Sequence, residues 1–134
     1  MASRAAFEPC PCGLGAAHAA CCGRYHGGAL HLMAPSAEAL MRSRYCAHVL
    51  ALDAYLQDTW HPRTRPLGIA PQPPAWRWIG LEVRRHTVID ADHSSVEFVA
   101  RGKQGGRAER MHTSSRFERV AGRWFYVDDI QPAA

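Results

Sequence analysis

Four of the five cysteines, Cys10, Cys12, Cys21 and Cys22, fall within thirteen residues of one another. This crowding constrains the fold more than any other feature of the chain. A secreted disulfide framework spreads its cysteines along the sequence and uses an even number, and this chain does neither. In a reducing compartment such a cluster marks a metal site. Four soft thiolates in a closed tetrahedral set suit zinc and leave no position open for a catalytic water. The expectation is therefore one structural zinc ion per chain, held by Cys10, Cys12, Cys21 and Cys22.

The spacing is C-x-C-x8-C-C. Gly13 and Gly15 let the chain turn after the first ligand pair, where backbone N–H groups can reach the thiolates, and Gly23 is expected to end a short alanine-rich helix. Adjacent side chains diverge on regular structure, so Cys21 and Cys22 make a demanding pair, and His18 or His26 stands as an alternative to Cys22. The pattern resembles the SEC-C motif, the zinc-binding tail of the SecA translocation ATPase and of many small bacterial proteins. That family writes the loop as Gly-Ser-Gly-Lys, where this chain has Gly13-Leu14-Gly15-Ala16. The ligands match and the basic residue does not.

A chain of 134 residues that is 47% hydrophobic can bury one full core and is too short for two ordinary domains. The expected organisation is a knuckle over residues 1–28 and an α+β domain over 29–134. Ala39, Leu40, Tyr45, Val49, Leu50 and Leu52 recur at roughly helical spacing behind Ser36, a natural N-cap, which predicts a helix over 36–51. Asp53 can cap a second short helix that carries Tyr55, Leu56 and Trp60 and stops at His61-Pro62. A proline-rich loop fills 62–75. Beyond it the alternation and turns predict four strands, Trp78 to Ile89, Ser94 to Arg101, Arg107 to Val120 and Arg123 to Ile130, as an antiparallel meander with one face on the helices. Helices followed by a curved sheet give an α+β cone.

The strings Ala37-Glu38-Ala39-Leu40-Met41-Arg42-Ser43-Arg44-Tyr45, Thr59-Trp60-His61-Pro62-Arg63-Thr64-Arg65-Pro66, Val96-Glu97-Phe98-Val99-Ala100-Arg101, Ser115-Arg116-Phe117 and Gly122-Arg123-Trp124-Phe125-Tyr126-Val127-Asp128 resemble the YchJ family of bacterial proteins. That resemblance implies a SEC-C motif joined to a domain similar to nuclear transport factor 2, a cone of helices against a curved sheet that often holds a pocket. It implies no reaction.

An open cone can gather Arg44, Tyr45, Trp60, His61, Arg65 and Arg116 into a polar pocket, and a guanidinium fork suits a small anionic ligand. The competing reading pairs these arginines with Glu38, Glu97, Glu109 or Asp128 inside the fold. An acid–base enzyme would need His61 beside Asp128 or Glu97, and the sequence has no nucleophile elbow, phosphate loop or His-Glu-x-x-His helix. Cys46, set among Ala47, Val49 and Leu50, reads as a buried thiol acting as a small hydrophobe.

The formal charge of +4 falls to about +2 once four thiolates hold a divalent ion. Arg84, Arg85, His86, Arg101, Lys103, Arg107 and Arg110 lie near strand turns without a dense basic helix, which ranks nucleic-acid binding last. Met1 to Pro9 shows no apolar signal region, and no stretch approaches a membrane span. A cytoplasmic, non-enzymatic binding module follows as the leading expectation, with a protein partner on the knuckle and a small anionic ligand in the cone. A small enzyme built around His61 and the arginines is the alternative.

Overall fold

The computed structural model describes residues 8–131, so the expectations resting on the first residues lie outside the described part. Pro9 and Ala17 form a bridge, with the Cys10 N–H donating to the Ala16 carbonyl at 2.8 Å, so the chain folds into a tight loop around Gly13 and Gly15. A 3-10 turn, His18–Ala20, then leads into a short helix α1, Gly23–His26. Gly23 therefore opens a helix instead of ending one. Its backbone lies so close to His18 that a Cβ would stand 2.6 Å from the His18 carbonyl oxygen, which only glycine avoids.

Helix α2, Ala37–Leu50, begins where the sequence predicts, with the Ser36 hydroxyl accepting from the Ala39 N–H at 3.1 Å. It ends on Ala51 in the left-handed conformation, whose N–H turns back to the last-turn carbonyls. Helix α3, Asp53–Asp58, follows directly. Asp53 is its first residue and makes no capping bond with its side chain, contrary to the capping role expected for it.

The four strands are β1, Trp76–Asp90, β2, His93–Gln104, β3, Arg107–Val120, and β4, Arg123–Ile130, paired antiparallel in that order. The turns fall at the punctuation in the sequence. Ala121 and Gly122, both at positive φ, make the last one. Strand β1 carries three register irregularities, between Trp78 and Gly80, Val83 and Arg85, and Val88 and Asp90. Each extra residue bends the strand and raises its twist, which wraps the sheet around α2 into a cone. One further irregularity, between Arg116 and Phe117, shifts β3 against β4.

The segment after α3 runs along the outer edge of β4. The His61 N–H donates to the Tyr126 carbonyl at 2.7 Å, the Tyr126 N–H donates to the Thr59 carbonyl at 2.8 Å, and Trp60 and Tyr126 form a parallel bridge. One continuous core joins Leu40, Met41, Leu56, Val96, Phe117 and Trp124 to the cysteines of the N-terminal loop. Among the described residues no helix is long and apolar enough to cross a membrane.

Trp124 and Tyr126 pack into the core below α2, as the alternation of β4 predicts. Phe125 is buried as well, beneath the His61 ring at 5.9 Å, so the opposite face of this strand is covered at its start instead of facing outward. Trp124 is 9% exposed, and its truncation to alanine should cost about 3–5 kcal/mol, read from chemical denaturation. A loss below about 1 kcal/mol would invert the face assignment of β4.

Candidate functional site

Two sites flank α2, a cluster of cysteines on one side and a cavity in the cone on the other. All five cysteines are buried and reduced. Cys10, Cys12, Cys22 and Cys46 have sulfur atoms that all lie within 4.8 Å of one another, with Cys10 and Cys46 at 3.3 Å. This quartet differs from the sequence expectation in one member. Cys21 stands 3.6 Å from Cys12 but outside the mutually close set, while Cys46, expected to be an inert core thiol, reaches in from α2. The reason is local geometry: Cys21 ends the 3-10 turn and Cys22 precedes α1 in helical conformation, so neighbouring side chains leave in different directions.

Hydrogen bonds from Cys22 and Cys46, together with the Leu14 backbone N–H, hold the Cys12 thiol far below its ordinary value. Contact with Cys12 pushes Cys22 and Cys46 upward, while burial raises Cys21 to about 11. Four buried sulfur donors with no carboxylate or imidazole among them fit a soft, tetrahedral, closed metal site.

The two histidines considered as ligands do something else. His18 Nε2 and His26 Nδ1 are 3.0 Å apart, and His26 Nε2 reaches the Ser43 carbonyl of α2 at 2.8 Å. Burial lowers the pKa of His26, consistent with a neutral ring that links the knuckle to α2. Arg42 adds a second link, donating to the Cys12 carbonyl at 3.0 Å and to Glu38 at 3.0 Å.

On the other side, a cavity of about 310 Å³ is lined by Arg44, Tyr45, Trp60, Trp78, Phe98 and Tyr126, among others. Of the six residues expected to form a ligand site, Arg44, Tyr45 and Trp60 meet here. His61, Arg65 and Arg116 do not. His61 is held outside, accepting from the Arg63 N–H at 3.0 Å and facing Glu118 at 3.5 Å. Its supposed partners are engaged elsewhere, Glu97 with His112 at 2.6 Å and Asp128 with Arg116. Arg65 folds back onto the Trp60 carbonyl at 2.8 and 3.0 Å. Arg116 forms a bidentate pair with Asp128 on the exposed sheet, its Nε at 2.6 Å, so the three arginines do not make one anion site. The basic strand residues Arg84 and Arg101 both lie against Glu82.

Arg44 is 7% exposed. Its Nη1 donates to the Leu56 carbonyl at 2.8 Å and to Thr59 Oγ1 at 2.7 Å, and its guanidinium lies over the rings of Tyr126, 4.4 Å away, and Trp60, 5.3 Å away. Desolvation lowers its pKa to about 10, which leaves it cationic at neutral pH. Asp129 lines the same cavity, accepting from Ser115 at 2.7 Å, and its charge favours the cationic form of Arg44. Sequence reading missed His48 and Trp78 in this lining; their recurrence at the cone face became legible only with the packing of α2 on β1.

A model described as the middle, nuclear-transport-factor-2-like domain of YchJ matches residues 36–129. The chain belongs to the YchJ family. UPF0225 proteins are its relatives: one from Methylibium petroleiphilum is 56% identical over 125 residues, covering 92% of this chain and 90% of the relative. Another, from Bordetella pertussis, is 52% identical over 119 residues, covering 89% and 90%. The solution structure of a SEC-C motif containing protein from Rhodopseudomonas palustris superposes with a TM-score of 0.80 at 30% identity, over 94% of this chain and all of that one. The crystal structure of a SEC-C motif containing protein from Psychrobacter arcticus gives 0.78 at 26% identity, over 98% and 87%. The YchJ fold is thus a SEC-C segment set against a cone, as the sequence resemblance implied.

Burial, with Arg44 nearby, depresses His48 from 6.5 to about 4. The unfolded chain binds this proton more readily, so the stability gained by burying the neutral ring is complete above pH 6.5 and is lost as pH falls toward 4. His48→Gln should therefore lose less stability than the parent between pH 7 and 4.5, by about 2–3 kcal/mol. Parallel acid dependences for the two proteins would show that His48 is protonated in the folded state.

Proposed function

We propose that this YchJ protein is a non-enzymatic binding module of the cytoplasm, in which a structural zinc ion fastens an interaction knuckle to a ligand-holding cone. The observation that carries the reading is the quartet of buried sulfurs, because a site closed by four thiolates leaves no coordination position for substrate or water. The donors assigned to zinc are Cys10, Cys12, Cys22 and Cys46, with Cys21 beside them as a fifth thiol. Three of these come from the SEC-C segment and the fourth from α2, so the ion ties the two parts of the chain together. The separation of His61 from the cavity and from both carboxylates supports a binding role over acid–base catalysis.

Elemental analysis should find one zinc per chain. Cys12→Ser or Cys22→Ser should abolish it, and Cys46→Ser should weaken zinc far more than Cys21→Ser. The reverse order would return the fourth position to Cys21, and protein purified without any zinc would overturn the reading. Binding must strip protons from the S–H groups, so affinity should rise between pH 6 and 8. Structural zinc contributes about 10–16 kcal/mol in small knuckles, so chelation should unravel the SEC-C segment and also lower the melting temperature of the cone through Cys46.

The knuckle is read as a protein-interaction surface. Leu14, at the loop tip where the SEC-C family carries a polar residue, is 59% exposed, and Leu30 and Met33 are exposed at the exit of the knuckle. A photo-crosslinking residue placed at Leu14 should capture a discrete partner in cells, and Cys12→Ser should abolish the adduct. The control position is Leu67, fully exposed in the proline-rich loop at 107%. Equal adducts from both positions would remove the knuckle from partner recognition.

A further inference from the structure

Arg44 is buried without a carboxylate. Among the described residues no acidic oxygen lies within 4.0 Å of it. Its described hydrogen bonds all leave from Nη1, to two neutral oxygens, and its remaining contacts are the faces of Trp60 and Tyr126. Nε and Nη2, the edge of the fork that matches a carboxylate, are used by neither bond. Removing a guanidinium from water is costly unless an anion meets it, so the fold leaves half of this group's binding capacity unfilled at the wall of a cavity.

The same lining holds two further unmet donors. The indole N–H groups of Trp60 and Trp78 are buried and have no acceptor. A buried N–H without an acceptor is costly, so a small rearrangement that brings these groups to a ligand oxygen is favoured. The remaining wall is largely aromatic and aliphatic, with Tyr45, Phe98 and Phe117 among its members. The space, about 310 Å³, corresponds to about ten water volumes, the size of a ligand of one or two rings.

Asp129 sets the charge of that ligand. It lines the same cavity, is fixed by Ser115, and acts on Arg44 electrostatically from beyond ion-pair distance. A second negative charge on the ligand would meet it, whereas a single carboxylate directed at Arg44 would not. We infer that the cone cavity of this protein binds a small aromatic monocarboxylate, its carboxylate on the free edge of the Arg44 guanidinium and its ring between Trp60, Trp78 and Phe98. The inference rests on the reading of the cone as a ligand-holding module and adds the class of ligand.

The test uses the zinc-loaded full chain, with phenylacetate and indole-3-acetate as probes and their amides as uncharged isosteres. Titration is followed by the NMR signals of the Trp60 and Trp78 indole N–H groups. Saturable shifts are expected for the acids, with affinity at least tenfold weaker for the amides and for the dianion phthalate. Arg44→Met should abolish acid binding. Because that substitution touches a buried group, Arg44→Lys, which keeps the charge but not the fork, and Ala100→Leu, which fills the cavity from β2, are the parallel variants. Each should weaken the acids at least tenfold. Equal binding of acids and amides, undiminished binding by Arg44→Lys and Ala100→Leu, or no shifts at millimolar acid would overturn the inference. Zinc content and knuckle crosslinking of the parent chain are read separately, so a parent that binds no acid with both intact refutes the ligand class alone, whereas a parent without zinc refutes the module.

Discussion

Everything distinctive in this molecule depends on the burial of a single helix on several sides at once. Helix α2 lies between the SEC-C loop and the concave face of the sheet, and every residue from Arg42 to Cys46 is engaged by one of the two. Arg42 holds the Cys12 carbonyl, the Ser43 carbonyl receives His26, Arg44 and Tyr45 line the cavity, and Cys46 joins the sulfur cluster. A surface helix sorts its residues into one apolar stripe and one polar face. This one cannot, because it has almost no free surface along its central turns.

The polar groups drawn into the interior are met mostly by neutral partners. The Ser43 hydroxyl donates to the Leu40 carbonyl and meets the Tyr55 hydroxyl at 2.7 Å, and Arg44 relies on a carbonyl, a hydroxyl and two rings. Such satisfaction is enough for a hydroxyl and incomplete for a cation. The cone therefore carries, at the cavity wall, a cation whose nearest described carboxylate, Asp129, acts on it only from beyond ion-pair contact. On the outer face, where water screens charge, arginines find carboxylates instead, as Arg116 does with Asp128 and Arg119 with Asp92.

The parts of the fold that are local in sequence were readable from it. Ser36 marks the start of α2, and Ala121-Gly122 the last hairpin, to the residue, because caps and tight turns are decided within a few positions. The sites were harder for identifiable reasons. Nothing near Cys46 distinguishes it from a core thiol, since its partners lie more than twenty residues upstream. Counting back from the Ala121-Gly122 turn would set Arg116 opposite Val127. The irregularity between Arg116 and Phe117 moves it to Asp128, where it forms an ion pair. Arg65 was misplaced because its fork closes on the nearby Trp60 carbonyl, a local bond that competes with any distant anion.

The strip from Thr59 to Thr64 also decides how the sheet meets other chains. By bonding to Tyr126 and, through the Thr64 hydroxyl, to the Val127 carbonyl, it seals the β4 margin against strand addition. Strand β1 is the other edge of the sheet. Three offsets in its ladder and the charged run Arg84-Arg85 interrupt that margin as a template. The irregularities that give the cone its curvature therefore also make β1 a poor template for edge-to-edge stacking, so one departure from regular pleating serves both the shape of the sheet and the protection of its edge.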